Sequence, residues 1–185
     1  MSVDPPTHQP LGGLLLLAGL ELLESTFKRT VVLITRHEKD EGAVGYILNR
    51  PLDKRVGDLL PAAEFSGLGD VPAFFGGPVS NDHLTFAAIF WDAAAGAMVG
   101  RTNLSAAEAH AMHLEGYEVR GFVGYSGWSP GQLEGELAAG AWEVQRPASD
   151  DLLRLPPGQL WPHLIRGLSP IHRIAADMPD DLSLN

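Results

Sequence analysis

Residues 119–142 read VRGFVGYSGWSPGQLEGELAAGAW, and this stretch sets the class of fold. Residues 119–125 are apolar, β-branched and aromatic, which predicts a strand. Ser129-Pro130-Gly131-Gln132 then carries the signature of a helix start. A serine hydroxyl can cap the free amides, a glutamine three residues on can reach back, and a proline stands at the first helical position, where its missing N–H costs nothing. The helix is expected to run to Ala139 and stop at Gly140, since glycine takes the left-handed conformation without a Cβ penalty. Residues 142–144 return to strand.

Upstream, Ser105-Ala106-Ala107-Glu108 is a second capping box and predicts a helix over 106–114, stopped at Gly116. Strands are expected at 84–91 and 97–102 about a turn at Gly96, and at 73–75 before Gly76-Gly77-Pro78. Residues 30–35 (TVVLIT) predict a central strand, 37–42 a charged hairpin-like loop, and 43–48 a returning strand. Asn49-Arg50-Pro51 should end that strand, because proline cannot donate to a ladder. A buried strand at 13–18, a short helix at 56–60, a glycine-rich turn at 66–70 and a helix at 157–166 complete the reading. Strands outnumber helices without regular βαβ alternation. The expectation is one mixed α/β (α+β) domain over 11–176, with a mobile leader at 1–10 and a frayed tail at 177–185.

The 185-residue chain is 45% hydrophobic and 19% charged, enough to bury a core and unlike a disordered chain. Its formal net charge is −10, from 23 acidic against 13 basic residues, so its field repels phosphate backbones and disfavours nucleic acid as a partner. Without cysteine, disulfides, thiolate nucleophiles and Cys-ligated zinc are excluded. The apolar run at 14–18 is far short of the ~20 residues a membrane helix needs, and no Lys or Arg precedes it. A cytoplasmic protein with no membrane association is expected, and nothing in the pattern sets its oligomeric state.

Gly127-Trp128-Ser129-Pro130-Gly131 fits the G-x-S-x-G pattern of a nucleophile elbow. Asp150 or Asp151 and then His163 or His172 follow in hydrolase order. Pro130 argues against a serine hydrolase using Ser129: the oxyanion hole of that fold needs the N–H after the nucleophile. The cap role gives Ser129 a structural reading instead. His110 and His113 share a helix face but complete no metal-ligand set, so no metal and no cofactor is expected. Asp82-His83 reads as a turn pair, and His37 as a residue of the loop or strand end. Trp91, Trp128, Trp142 and Trp161 lack interleaved Lys and Arg and read as core residues.

Asn49-Arg50-Pro51, Gly76-Gly77-Pro78 and residues 124–131 each follow a predicted strand. Should these ends share one rim, glycine would let backbone approach a ligand and Arg50 could meet a carboxylate or phosphate. The candidate binding residues are therefore Asn49, Arg50, Gly76, Gly77, Gly127 and Trp128, against the alternative of tight turns and a structural arginine.

Residues 12–34 (GGLLLLAGLELLESTFKRTVVLI), 42–51 (GAVGYILNRP), 74–79 (FFGGPV) and 124–142 together resemble the AlgH/YqgE family in order and spacing. The resemblance extends over roughly residues 12–168 and takes in the C-terminal DLLRLPPGQLWPHLIRGL. It implies an open, partly barrel-like mixed sheet with helices packed outside. One departure is Glu24-Ser25-Thr26-Phe27, where the family usually has an Asp-Pro-x-Phe element, so a role for that Asp or Pro does not carry over. The family's name reflects a regulatory association. The expected function is binding or regulation of a protein or small-molecule partner through the glycine-rich rim, with catalysis disfavoured. The alternatives are a hydrolase using Ser129, and a DNA-binding regulator, against which the net charge stands.

Overall fold

The computed structural model describes residues 11–22 and 26–178; the expected leader at 1–10, Glu24, Ser25 and the tail beyond Met178 lie outside the described residues. Nine strands join in one mixed sheet: β1 (Leu15–Ala18), β2 (Val31–Glu38), β3 (Gly42–Ile47), β4 (Pro51–Arg55), β5 (Pro72–Phe75), β6 (Val79–Asp92), β7 (Ala97–Leu104), β8 (Glu118–Trp128) and β9 (Trp142–Gln145). The helices are α1 (Val56–Leu59), α2 (Ala106–Leu114), α3 (Gln132–Ala138), α4 (Pro157–Ile165) and α5 (Pro170–Asp177), with 3₁₀ turns at Ala63–Leu68 and Asp151–Arg154. No helix among the described residues is long and apolar enough to cross a membrane.

β8 is the hub. Its first part pairs parallel with β5 and antiparallel with β6, and its last three residues pair with β3, which leads on through β2 and β1 to β9. The sheet curls into a half barrel, as the family resemblance implied. Glycine permits the curl: a Cβ on Gly100 of β7 would sit 2.6 Å from Thr35 Cγ2 of β2, a strand β7 does not pair with. β1 is buried on every residue, which explains its unbroken apolar run. Trp161 of α4 closes over it and donates from Nε1 to the Ala18 carbonyl at 2.9 Å. A second apolar cluster seats α1 and α2, with Val56, Ala109 and Met112 packing near Phe86, Ala88 and Val119.

The glycine motifs meet at one crossing. Gly76 splices β3 onto the β5 side of β8. Its amide donates to the Val123 carbonyl at 2.9 Å, and its own carbonyl accepts from Ile47 at 3.0 Å and from the Ser126 hydroxyl at 3.1 Å. The chain then passes across β8 to begin β6 on the opposite edge. A Cβ on Gly76 would lie 2.3 Å from the Gly124 oxygen, and one on Gly124 2.3 Å from the Gly77 oxygen. Gly124 also has φ +68°, so two requirements fall on one residue.

Several expectations need correction. Pro51 opens a strand as well as ending one: β4 is the outermost strand beside β5, a position where a missing N–H is tolerated. Residues 66–70 belong mostly to the 3₁₀ turn rather than a free glycine turn. α5 was not anticipated; Ser169 caps it, accepting from the His172 amide. α3 begins at Gln132 with Gly131 as its cap, and no side chain caps it. Pro130-Gly131 instead forms the centre of a type II turn, closed by a 3.0 Å bond from the Gln132 amide to the Ser129 carbonyl, with Gly131 at φ 77°, ψ −12°. The glutamine does reach back to the Ser129 amide, at 3.0 Å, so half of the predicted box is present and the hydroxyl half is not. Asp177 ends α5 and ion-pairs with Arg166, so that part of the expected tail is helical.

Candidate ligand cleft

A cleft of about 600 Å³ opens between β2, β3, β6, β7 and β8. Its lining is Thr35, Arg36, Val44, Tyr46, Ser80, His83, Thr85, Thr102, Asn103, Gly124 and Tyr125. Tyr46 and Gly124 are buried at its floor, Thr35, Val44, Thr85, Thr102 and Tyr125 are half-buried, and Arg36, Ser80, His83 and Asn103 are exposed.

The cleft forms where strands lose register. β2 and β3 slip between Ile34 and Arg36, leaving Thr35 as the extra residue. β6 against β8 is irregular between Val79 and Leu84. β6 against β7 shifts between Phe86 and Ala88, opposite Arg101 to Leu104. These three breaks supply Thr35, Arg36, Ser80, His83, Thr102 and Asn103 to the lining. A bulge re-aims side chains that regular alternation would turn elsewhere, and bulges concentrate beside functional sites. Ser80 (φ 51°) and Asn103 (φ 56°) are two of the four non-glycine residues with positive φ among the described residues. Such strain persists only where the surroundings hold it.

At the floor, Tyr46 packs its ring on Phe122, 4.9 Å between centroids. Burial raises its pKa, while the hydroxyls of Thr85 and Thr102 at its oxygen pull the other way. The phenol therefore stays protonated at neutral pH and is available as a donor. Tyr125 packs over Gly127: a Cβ there would stand 3.2 Å from Tyr125 Cε2. Arg36 pairs with Glu41 at 3.4 Å, and His83 Nδ1 lies 2.7 Å from Asp82. That partnership holds the Asp82 carboxyl below its ordinary pKa.

The residues singled out in the sequence divide. Backbone brings Arg50 and Gly76 together: Phe75 donates to the Arg50 carbonyl at 2.8 Å, beside the Gly76 splice. Their side chains work elsewhere. Asn49 is buried and bridges the Val31 amide and the Arg29 carbonyl, each at 2.9 Å, while Arg50 donates to the Lys28 carbonyl. Gly76 and Gly77 sit at the crossing behind Gly124, and Gly127 lies under Tyr125. Trp128 is buried at the far end of β8, where its Nε1 and that of Trp142 both donate to Glu136 Oε2, at 2.8 and 2.7 Å. Apart from His83 in the Asp82-His83 turn and Gly124 and Tyr125 in the 124–131 stretch, the lining went unread in the sequence. Its one local signal is the threonines at 35, 85 and 102, polar residues set within largely apolar strands.

The other candidates resolve into structure. His37 is a strand residue with its side chain only 2% exposed, not a solvated loop residue. Its Nδ1 accepts from the Leu11 amide at 3.2 Å and its Nε2 faces Glu134 at 3.0 Å. The His110 ring packs on Gly67, where a Cβ would lie 2.6 Å from it. Among the described residues no three His, Asp or Glu side chains gather as a metal site. Ser129 is exposed and outside the positive-φ set, so the strained position of its turn is Gly131 rather than a nucleophile.

The geometry defines a mixed α/β protein built on one curled sheet, with an open cleft where the strands break register. The chain belongs to the AlgH-like family, whose profile matches residues 15–172. A UPF0301 protein of Streptomyces coelicolor is 36% identical over 188 residues, covering 95% of each chain. A UPF0301 protein of Mycobacterium tuberculosis is 36% identical over 196 residues, covering 99% of this chain and 95% of the relative. The solution structure of the AlgH protein from Pseudomonas aeruginosa aligns with TM-score 0.61 at 25% identity, covering 98% of this chain and 100% of that one. A crystal structure from Corynebacterium diphtheriae aligns with TM-score 0.68 at 21% identity over 92% and 94% of the two chains, a likeness of fold alone.

Proposed function

We propose that this chain is a binding protein, with a regulatory role in the cytosol, that seats a small molecule in the cleft over Tyr46 and Gly124. The observation that carries the reading is the coincidence of three register breaks at one cleft, two of them with strained residues, Ser80 and Asn103. Random irregularity would scatter; the other register break among the described residues, in β4, lies apart from this cleft. Its volume of about 600 Å³ falls within the range of small-molecule sites. The glycine rim enters the reading as the wall that carries this cleft. Gly76, Gly77 and Gly124 make the crossing, Gly127 makes room for Tyr125, and Asn49, Arg50 and Trp128 hold the frame behind it.

Amide chemical-shift mapping against mixtures of small polar compounds tests this. Shifts should collect at Tyr46, Thr85, Thr102 and Tyr125 and disappear in Tyr125→Ala, with the fold of the variant checked by its remaining spectrum. Shifts gathered elsewhere, or the same shifts in the variant, would remove the reading.

A further inference from the structure

The cleft departs from the charge pattern of the chain around it. The chain holds 23 acidic residues against 13 lysines and arginines, yet no Asp or Glu is among the described residues lining the cleft. The basic side chains in the lining are Arg36 and His83. The other polar groups are neutral, and the buried Tyr46 phenol with the hydroxyls of Thr85 and Thr102 makes a floor of hydroxyl groups that can donate or accept. Oxygen-rich anions are held by this combination of a guanidinium and convergent neutral hydroxyls. A cationic ligand would find no lining carboxylate to pair with.

The basic groups are held by weak partners outside the cleft. Arg36 meets Glu41 at 3.4 Å with both side chains more than half exposed. An exposed pair of this kind is worth little and is readily exchanged for a bidentate contact to an anion. His83 commits Nδ1 to Asp82, which leaves Nε2 for a ligand. Resting on the reading of the cleft as a binding site, we infer that its ligand is an anionic small molecule: a phosphate or carboxylate group on a hydroxylated body, between a sugar acid and a mononucleotide in size. The anionic group meets Arg36, and the hydroxylated body lies over Tyr46, Thr85 and Thr102.

Titration followed by amide chemical shifts, with ribose 5-phosphate, gluconate and neutral ribose at millimolar concentration, tests the inference. One or both anions should shift the cleft amides at least about tenfold more tightly than ribose, a difference that one good charge-assisted contact supplies. Arg36→Gln should abolish that preference, Arg36→Lys should keep part of it, and Glu41→Gln should tighten anion binding by freeing the guanidinium. Response to ribose 5-phosphate alone assigns a phosphate, and to gluconate alone a carboxylate. Equal binding of ribose and the anions, unchanged in Arg36→Gln, would overturn the anion inference and leave the cleft standing. Cleft amides silent to all three probes would overturn both.

Discussion

Replacing Gly124 by alanine tests the crossing on which the cleft is built. Two costs meet at this residue. Its φ of +68° penalises any L side chain, by about 1–2 kcal/mol. The new Cβ would also stand 2.3 Å from the Gly77 oxygen and 2.8 Å from the Val79 oxygen. Both contacts are backbone, so no rotamer can relieve them and the 76–79 segment must move. Overpacking of this kind adds about 1–3 kcal/mol, for a total of about 2–5 kcal/mol. Gly131→Ala is the matched control, since Gly131 has φ +77° but nothing within 4 Å of its added Cβ. It should cost the dihedral term alone, about 1–2 kcal/mol, or roughly 2–8 °C in Tm for a chain of this size. Urea unfolding followed by tryptophan fluorescence separates the two through their midpoints at equal m. Gly124→Ala should also lose ligand shifts at Tyr125, whereas Gly131→Ala should retain them. Coincident midpoints for the two variants would refute the claim that the crossing is held by backbone contact.

Glu136→Ala should destabilise by about 2–3 kcal/mol and alter the near-UV circular dichroism, because the Trp128 and Trp142 indoles lose the acceptor they share. Ser129→Ala should change stability by less than about 0.5 kcal/mol, since its hydroxyl caps no helix; a loss near 1 kcal/mol would restore the capping role. The same variant should match the wild type in showing no labelling by a fluorophosphonate probe, and labelling that depends on Ser129 would revive the hydrolase. Hydrogen bonds from Ser105 hold the Glu108 carboxyl below its ordinary value of 4.5. Because the folded pKa is the lower one, this stabilisation is present above pH 4.5 and is lost as pH falls through the folded value. The Tm of wild type should therefore fall more steeply below pH 4.5 than that of Glu108→Gln.

Local chemistry was legible wherever a residue answers to its own neighbours in sequence. The apolar run of β1, the Ser105–Glu108 capping box and the stop of α3 at Gly140 each depend on a few adjacent residues, and each stands as the sequence implies. Even there, Ser129 shows the limit. Ser-Pro-Gly-Gln encodes a helix cap and a type II turn equally well, and Gly131 at positive φ decided for the turn. His37 and Asn49 were harder, because their partners lie far along the chain: Glu134 for one, Arg29 and Val31 for the other.

The sequence by itself determined every strand but β4, most helix ends and the family, since these follow from periodicity, capping and motif spacing. Gly76, Gly77 and Gly124 stood out in it as positions of special backbone demand, but not as positions that touch. Only the tertiary structure formed the cleft proposed as the site. The cleft arises from slips of register between strands, and a slip is a relation between two segments that neither encodes alone. It brings Thr35, Thr85 and Thr102 to one cleft over Tyr46, beside the crossing made by Gly76, Gly77 and Gly124.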